Sequence, residues 1–86
     1  MVLHYGVGFG GQGAWHNKHF ETLQEAETFY NDTIARTITS FNNFKTRVTY
    51  STKNEPLNIK EFRICNIKKD NTPGKIRQTV RLYQII

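Results

Sequence analysis

The stretch IKEFRICNIKKDNTPGKIRQTVRLYQI, residues 59–85, decides the fold that this sequence predicts. Its two ends, residues 59–68 and 76–85, are rich in β-branched and aromatic residues, which is typical of strands. Residues 70–74 read Asp-Asn-Thr-Pro-Gly, and proline followed by glycine suits the two central positions of a tight turn. The stretch therefore predicts an antiparallel hairpin.

The number of residues in the turn determines which side chains of this hairpin share a face. A five-residue loop over 70–74 places Phe62 opposite Leu82 and Ile64 opposite Val80 on the core side. We favour this odd loop because it gathers the apolar pairs on one face, whereas an even loop distributes them over both. A slip of one residue would invert every side chain.

The same odd loop places Arg63 directly across from Arg81 on the other face. Like charges at paired positions are unfavourable unless a polyanion lies over them, so this register would be a hint of function. An even loop would turn the two arginines to opposite faces. The sequence leaves the choice open.

The rest of the chain predicts three more strands and one helix. Residues 2–9 alternate in polarity, the glycines at 10, 11 and 13 favour a turn, and residues 14–20 return as a second strand. Residues 45–52 are a third strand, which the segment 54–56 ends because it contains a proline.

The predicted helix begins with a capping box, in which Thr22 is the N-cap and Glu25 reaches back to it. The pattern predicts a helix to about Arg36, beyond which residues 37–40 have poor helix propensity. Apolar residues recur at helical spacing and predict one buried stripe, made of Leu23, Ala26, Tyr30, Ile34, Ile38 and Phe41.

These elements predict a single α+β domain over residues 1–86. It has a small antiparallel sheet of about five strands, in the chain order β-β-α-β-β-β, with one helix packed on one face. Because one helix cannot cover both faces of five strands, the opposite face is expected to be solvated or to bind something.

The formal charge of +5 is divided unevenly along the chain. Residues 1–43 carry two basic and four acidic side chains, a net charge of −2, and residues 44–86 carry ten basic and three acidic ones, a net charge of +7. Tyr50, Phe62 and Tyr83 interleave with these cations. Cations that neutralise phosphates beside aromatic rings that stack on bases are typical of single-strand-binding sheets.

The sequence therefore predicts a basic binding surface on the last three strands and the turn between them. A negatively charged protein could use the same surface, and some of these cations could instead be a solvated surface that guards strand edges. The candidate residues for binding nucleic acid or a partner are Arg47, Arg63, Lys68, Lys69, Lys75, Arg77, Arg81 and Tyr83.

No catalytic residue, cofactor or metal site is predicted. Residues 6–11 match G-x-G-x-x-G, but a dinucleotide site needs this motif between a strand and a helix. A flexible or bulged hairpin, or a backbone on which a partner lies closely, explains the glycines better. His16 and His19 are three residues apart on a strand and point to opposite faces. Cys65 is expected to be a small buried residue within its strand.

The expected function is that of a non-enzymatic nucleic-acid-binding module. The alternative is a small protein of a phage or another mobile element that binds and inhibits a host protein complex. A small RNase-type toxin is less favoured, since no convincing general base lies near the arginines.

The expected location is cytoplasmic, or the host cytoplasm if the chain is phage-encoded. A single cysteine cannot form an internal disulfide, no secretory signal is visible at the start, and no apolar run approaches the roughly 18–20 residues of a membrane span. No membrane partner is therefore expected, and a homodimer through strand edges stays possible.

Overall fold

The computed structural model describes residues 2–11, 13–42, 45–51 and 57–85. One five-stranded antiparallel sheet has the strand order β2-β1-β5-β4-β3, and a single helix packs on one of its faces. The predicted α+β class and the chain order of the elements are confirmed. The predicted break at residues 54–56 lies outside the described residues. The elements are β1 (Tyr5–Gly11), β2 (Ala14–Phe20), α1 (Leu23–Ser40), β3 (Thr46–Ser51), β4 (Asn58–Ile67) and β5 (Pro73–Gln84).

The first two strands form the predicted hairpin, but β1 begins three residues later than predicted and ends two residues later. Gly10 and Gly11 belong to β1 and pair with Trp15 and Ala14, so the strand continues two residues past its predicted end. Before β2 begins, Gly13 has a φ of +80°. That left-handed conformation requires a glycine.

The β4–β5 hairpin keeps the predicted faces but not the predicted partners. Phe62 lies opposite Val80 and Arg63 opposite Thr79, which is a shift of two residues from the predicted pairing. Since a shift of two preserves the side of every residue, the apolar side chains still share the core face. The prediction that Arg63 and Arg81 lie directly opposite each other was wrong.

The shift originates at the turn. β5 already begins at Pro73, which pairs with Ile67, so the five-residue turn occupies residues 68–72 and not 70–74. Asn71 adopts a left-handed φ of 64°, and Asp70 accepts hydrogen bonds from the amide and hydroxyl of Thr72. Two irregularities between Ile64 and Ile67 then change the register along the hairpin.

Helix α1 packs over the β2-β1-β5 side of the sheet, and its buried stripe matches the predicted one only in part. It contacts β1, β2 and β5, and Thr22 caps it as predicted by accepting from the Glu25 amide at 3.2 Å. Its buried residues are Ala26, Tyr30, Thr33 and Thr37.

The predicted stripe was wrong at Leu23 and Ile38, which are 36 % and 44 % exposed. Its other members were predicted correctly, because Ala26 and Tyr30 are buried and Ile34 and Phe41 pack against the core. Ile38 is exposed because of polar packing at the second half of the helix. The Thr37 hydroxyl accepts from Gln78 Nε2 at 2.8 Å and donates to the Thr33 carbonyl, which turns the threonines toward the sheet.

The core lies between this helix and the face of the sheet below it, and each of its fully buried side chains contributes about 1.5–3 kcal/mol. Within the described part of the chain, no helix is long and apolar enough to cross a bilayer. The buried apolar cluster consists of Val7, Ala26, Tyr30, Phe62, Ile64, Val80 and Leu82.

Candidate functional site

The face of the sheet opposite the helix, called the open face here, has a floor of glycines along β1. Gly6 lies opposite Tyr83 and Gly8 opposite Arg81, and both glycines are buried. A Cβ on Gly6 would lie 2.4 Å from the Tyr83 ring, and one on Gly8 would lie 2.5 Å from Trp15. The glycines are therefore needed because two aromatic side chains of the same chain lie on them.

Those aromatic side chains are joined by Asn17 on the edge strand β2. The Trp15 Nε1 donates to Asn17 Oδ1 at 3.3 Å, and the Tyr83 hydroxyl donates to the same oxygen at 3.0 Å. Burial raises the pKa of the Tyr83 phenol, so the hydroxyl keeps its proton at neutral pH. His19 Nε2 lies 3.3 Å from that hydroxyl. The network fixes Trp15 and Tyr83 relative to each other.

A buried carboxylate lies beside this network. Glu61 is only 2 % exposed, and it lies between Arg63, whose Nη2 donates to Oε2 at 2.6 Å, and Arg81, whose Nη2 donates to Oε1 at 2.9 Å. The register explains this arrangement, because Glu61 pairs directly with Arg81 across β4 and β5. The two arginines share the open face, as favoured from the sequence, but an acid separates their charges.

The titration of Glu61 follows from these contacts. Burial is the largest influence and by itself raises the pKa of the carboxyl group, but the hydrogen bonds and charges of Arg81 and Arg63 together outweigh it and hold the pKa below its ordinary value. The carboxylate is therefore ionised at neutral pH and orients both guanidinium groups. The Arg81 guanidinium carbon also lies 5.7 Å from the centre of the Trp15 ring.

A groove of about 310 Å³ opens between the two aromatic side chains. We call it the aromatic groove. A second hollow of about 190 Å³ adjoins Trp15 on the side of Arg77 and Thr79. Trp15 borders both hollows, so they form one path along β5. The aromatic groove is lined by Trp15, Asn17, Leu57, Asn58, Arg81 and Tyr83.

This path leads toward the projecting end of the β4–β5 hairpin. β5 begins at Pro73, whereas Gln78 is its first residue opposite β1, so the hairpin extends past β1 and β2. The molecule is accordingly elongated, with a longest extent of 48 Å. Its end, called the basic tip here, exposes Lys68, Lys69, Lys75 and Arg77.

The lysines of the basic tip differ from the arginines of the open face in their partners. Within the ranges that the structure describes, no carboxylate lies in salt-bridge distance of Lys68, Lys69 or Lys75. Arg47, on β3, donates through Nη1 to the carbonyl of Asn71 in the turn at 3.3 Å. Positive charge is therefore concentrated at the basic tip.

The predicted residues thus fall into two groups. Arg47, Arg63, Arg81 and Tyr83 belong to the open face, and the remaining four form the basic tip. Of the three aromatic residues that alternate with the cations in the sequence, Tyr83 lies on the open face, and Phe62 lies on the core face as the favoured register predicts. Phe62 is fully buried under the helix, and Tyr50 pairs with it on that side of the sheet, where it is 70 % exposed.

Sequence reasoning missed Trp15, Asn17 and Glu61. The signal for the first two was the spacing of Gly6 and Gly8, because glycine at every second position leaves one face of the strand without side chains and open to its neighbours. This signal can be interpreted only when the pairing of β1 with β5 is known, and that pairing joins residues 67 to 79 positions apart.

The histidines and the cysteine are positioned as predicted. His16 stacks on Phe9 with ring centres 5.4 Å apart, on the face opposite the one where His19 contacts Tyr83. Cys65 is free and buried. Among the residues described, no group of three or more His, Cys, Asp or Glu side chains could hold a metal ion.

Comparison with known proteins gives no family model that matches this chain, and no match among curated proteins or solved structures.

Proposed function

We propose that this chain is a non-enzymatic nucleic-acid-binding module whose basic tip contacts the phosphate backbone. The observation that carries the proposal is the concentration of exposed cations on a projecting hairpin. Lys68, Lys69 and Lys75 have no carboxylate within salt-bridge distance among the described residues. Cations of this kind bind phosphates and release condensed counterions, and this is the main source of sequence-independent affinity.

The shape of the hairpin supports the same function. The hairpin extends past β1 and β2 and is flanked there, among the described strands, only by β3, whose Thr46 pairs with Asn66. This end of the sheet can therefore approach a polyanion without interference from the acidic first half of the chain. Lys60 and Arg36 carry the remaining described salt bridges, with Glu27 and Asp32 on α1, so these cations of the helix side are already neutralised.

The non-enzymatic part of the proposal is supported by Glu61. A general base must reach the proton that it removes. The Glu61 carboxylate is buried and holds two arginines, so it serves to orient them. A cytoplasmic location belongs to the same proposal, and the single free cysteine supports it.

The test is to measure the nucleic acid that is retained when the tagged protein is purified from its own cells. The hairpin variant carries Lys68→Gln, Lys69→Gln and Lys75→Gln. The matched control carries Lys18→Gln, Arg36→Gln and Lys60→Gln, which removes the same charge from the helix side. Wild-type protein and control should retain nucleic acid, and the hairpin variant should retain several-fold less.

Nuclease treatment separates the proposal from its alternative. If the wild-type protein retains no nucleic acid, or instead keeps one protein partner in a complex that survives nuclease, the proposal is wrong. The second result would favour a protein partner, and its loss in the hairpin variant would show that this partner contacts the basic tip.

A further inference from the structure

We infer that the aromatic groove holds an unpaired base of a single-stranded nucleic acid, while the basic tip contacts the neighbouring phosphates. This inference rests on the proposed function and specifies its substrate class. A base within a duplex would not fit the groove in the same way, because paired bases stack on each other and present only their edges. An unpaired base also presents its flat face to a protein ring.

The first argument is the stacking surface. Trp15 is 45 % exposed although it lies on Gly8 and beside Arg81, so one part of its ring is supported by the sheet and another part is open to solvent. An indole or a guanidinium plane beside an open groove is the surface on which unpaired bases stack. The groove volume of about 310 Å³ lies within the range of small-molecule sites.

The second argument is the set of hydrogen-bond donors in the groove. Trp15 Nε1 can only donate, so the Asn17 atom that it contacts is the carbonyl oxygen, and the Tyr83 hydroxyl donates to that oxygen too. In the described structure no acceptor is bonded to Asn17 Nδ2. Arg81 uses Nε and Nη2 on Glu61, which leaves Nη1 for another partner. Both residues line the groove.

This donor set indicates which bases fit. Thymine, uracil, cytosine and guanine carry a carbonyl oxygen, whose two lone pairs can accept from an amide and a guanidinium N–H together, whereas adenine accepts only through ring nitrogens with one lone pair each. We therefore expect a thymine strand to bind more tightly than an adenine strand of equal length.

The third argument is the path between the groove and the basic tip. Trp15 borders the aromatic groove and also the hollow that Arg77 and Thr79 line. A strand with one base in the groove can follow β5 from Arg81 to Arg77, a distance of about 13 Å at the usual rise of a strand. Its phosphates then reach Lys75 and the turn.

Trp15 is the single tryptophan of the chain, so its fluorescence reports on the groove directly. The experiment titrates wild-type protein with an oligothymidylate of about ten nucleotides, within the usual range of single-strand site sizes. Three comparison ligands of equal length are an oligoadenylate, an abasic oligonucleotide with the same phosphates, and a duplex. Affinity is followed in parallel by the anisotropy of a labelled strand.

The thymine strand should quench Trp15 and bind about tenfold more tightly than the abasic strand, which corresponds to one stacked base. The Trp15→Ala variant should lose this tenfold, and Trp15→Phe should retain most of it. Tyr50→Ala, which removes an exposed ring from the helix side, should bind like wild type.

Equal affinity for the abasic strand, with Trp15 fluorescence unchanged, would overturn the inference and leave the proposed function standing. Duplex binding as tight as thymine-strand binding would also overturn it. Absence of binding to every ligand would overturn the inference and the proposed function together.

Discussion

Glu61 is the residue on which the arrangement of the open face depends most. It is buried, yet both of its oxygens are held by arginines that are themselves partly exposed, with side-chain exposures of 24 % for Arg63 and 33 % for Arg81. Removing one member of such a group leaves the other charges without compensation, whereas an exposed ion pair contributes little.

We expect Glu61→Gln to lower the free energy of unfolding by about 2 kcal/mol, because charged hydrogen bonds to two arginines are lost. The control is Asp32→Asn, which breaks the exposed Arg36–Asp32 pair and should cost under about 1 kcal/mol. Urea denaturation measures both. Equal losses in the two variants would contradict this account of Glu61.

Because the pKa of Glu61 is lowered in the folded protein, the contribution of Glu61 to the free energy of unfolding depends on pH. Since the pKa is lower in the folded state, the contribution is fully present above the ordinary glutamate pKa of about 4.3 and is lost as the pH falls through the folded value. The stability difference between wild type and Glu61→Gln should therefore shrink below about pH 4. A difference that stays constant from pH 7 to pH 3 in urea denaturation would be inconsistent with an ionised Glu61.

At the scale of elements, the alternation of apolar and polar residues predicted which side chains share a face of the sheet. It did not predict the register between the strands, because the register depends on irregular backbone positions. The common face of Phe62 and Val80 followed from polarity alone. The two-residue shift that places Glu61 beside Arg81 came from the left-handed Asn71 and from two irregularities in β4 and β5. Apolar alternation carries no signal for such features, because a shift of two residues leaves both faces unchanged.

The helix shows the same limit. The capping box at Thr22 is a local pattern and was confirmed. The buried stripe was wrong at Ile38 because a hydrogen bond from Gln78 holds Thr37 against the sheet. That contact joins residues 41 positions apart, and helical periodicity gives no indication of it.

Substitution of Gly8 in β1 tests whether the glycines form the floor on which the side chains of the aromatic groove lie. A Cβ at Gly8 would lie 2.5 Å from Trp15, so Gly8→Ala should displace the indole and change its fluorescence emission. Gly13→Ala is the control. No atom lies within 4 Å of its Cβ, and its positive φ should cost about 1 kcal/mol of stability without moving Trp15. Unchanged emission in Gly8→Ala would show that the glycine does not support Trp15.

At the scale of the whole molecule, the net charge of +5 is less informative than the positions of the charged side chains. Two of the basic side chains in the second half surround Glu61, whereas the lysines of the basic tip have no such compensation among the described residues. The protein thus presents the aromatic groove on the open face of its sheet and the basic tip at one end. Phosphate contacts would supply affinity at the basic tip, and base contacts would supply selectivity at the groove.

The salt dependence of oligonucleotide affinity tests the central role of the basic tip most directly. The slope of log affinity against log salt changes by about 0.7 for each phosphate contact to a single strand. The variant with Lys68→Gln, Lys69→Gln and Lys75→Gln should therefore have a slope about 2 units shallower than wild type. The control with Lys18→Gln, Arg36→Gln and Lys60→Gln should keep the wild-type slope. Equal slopes in all three proteins, or a wild-type affinity that does not vary with salt, would contradict the account.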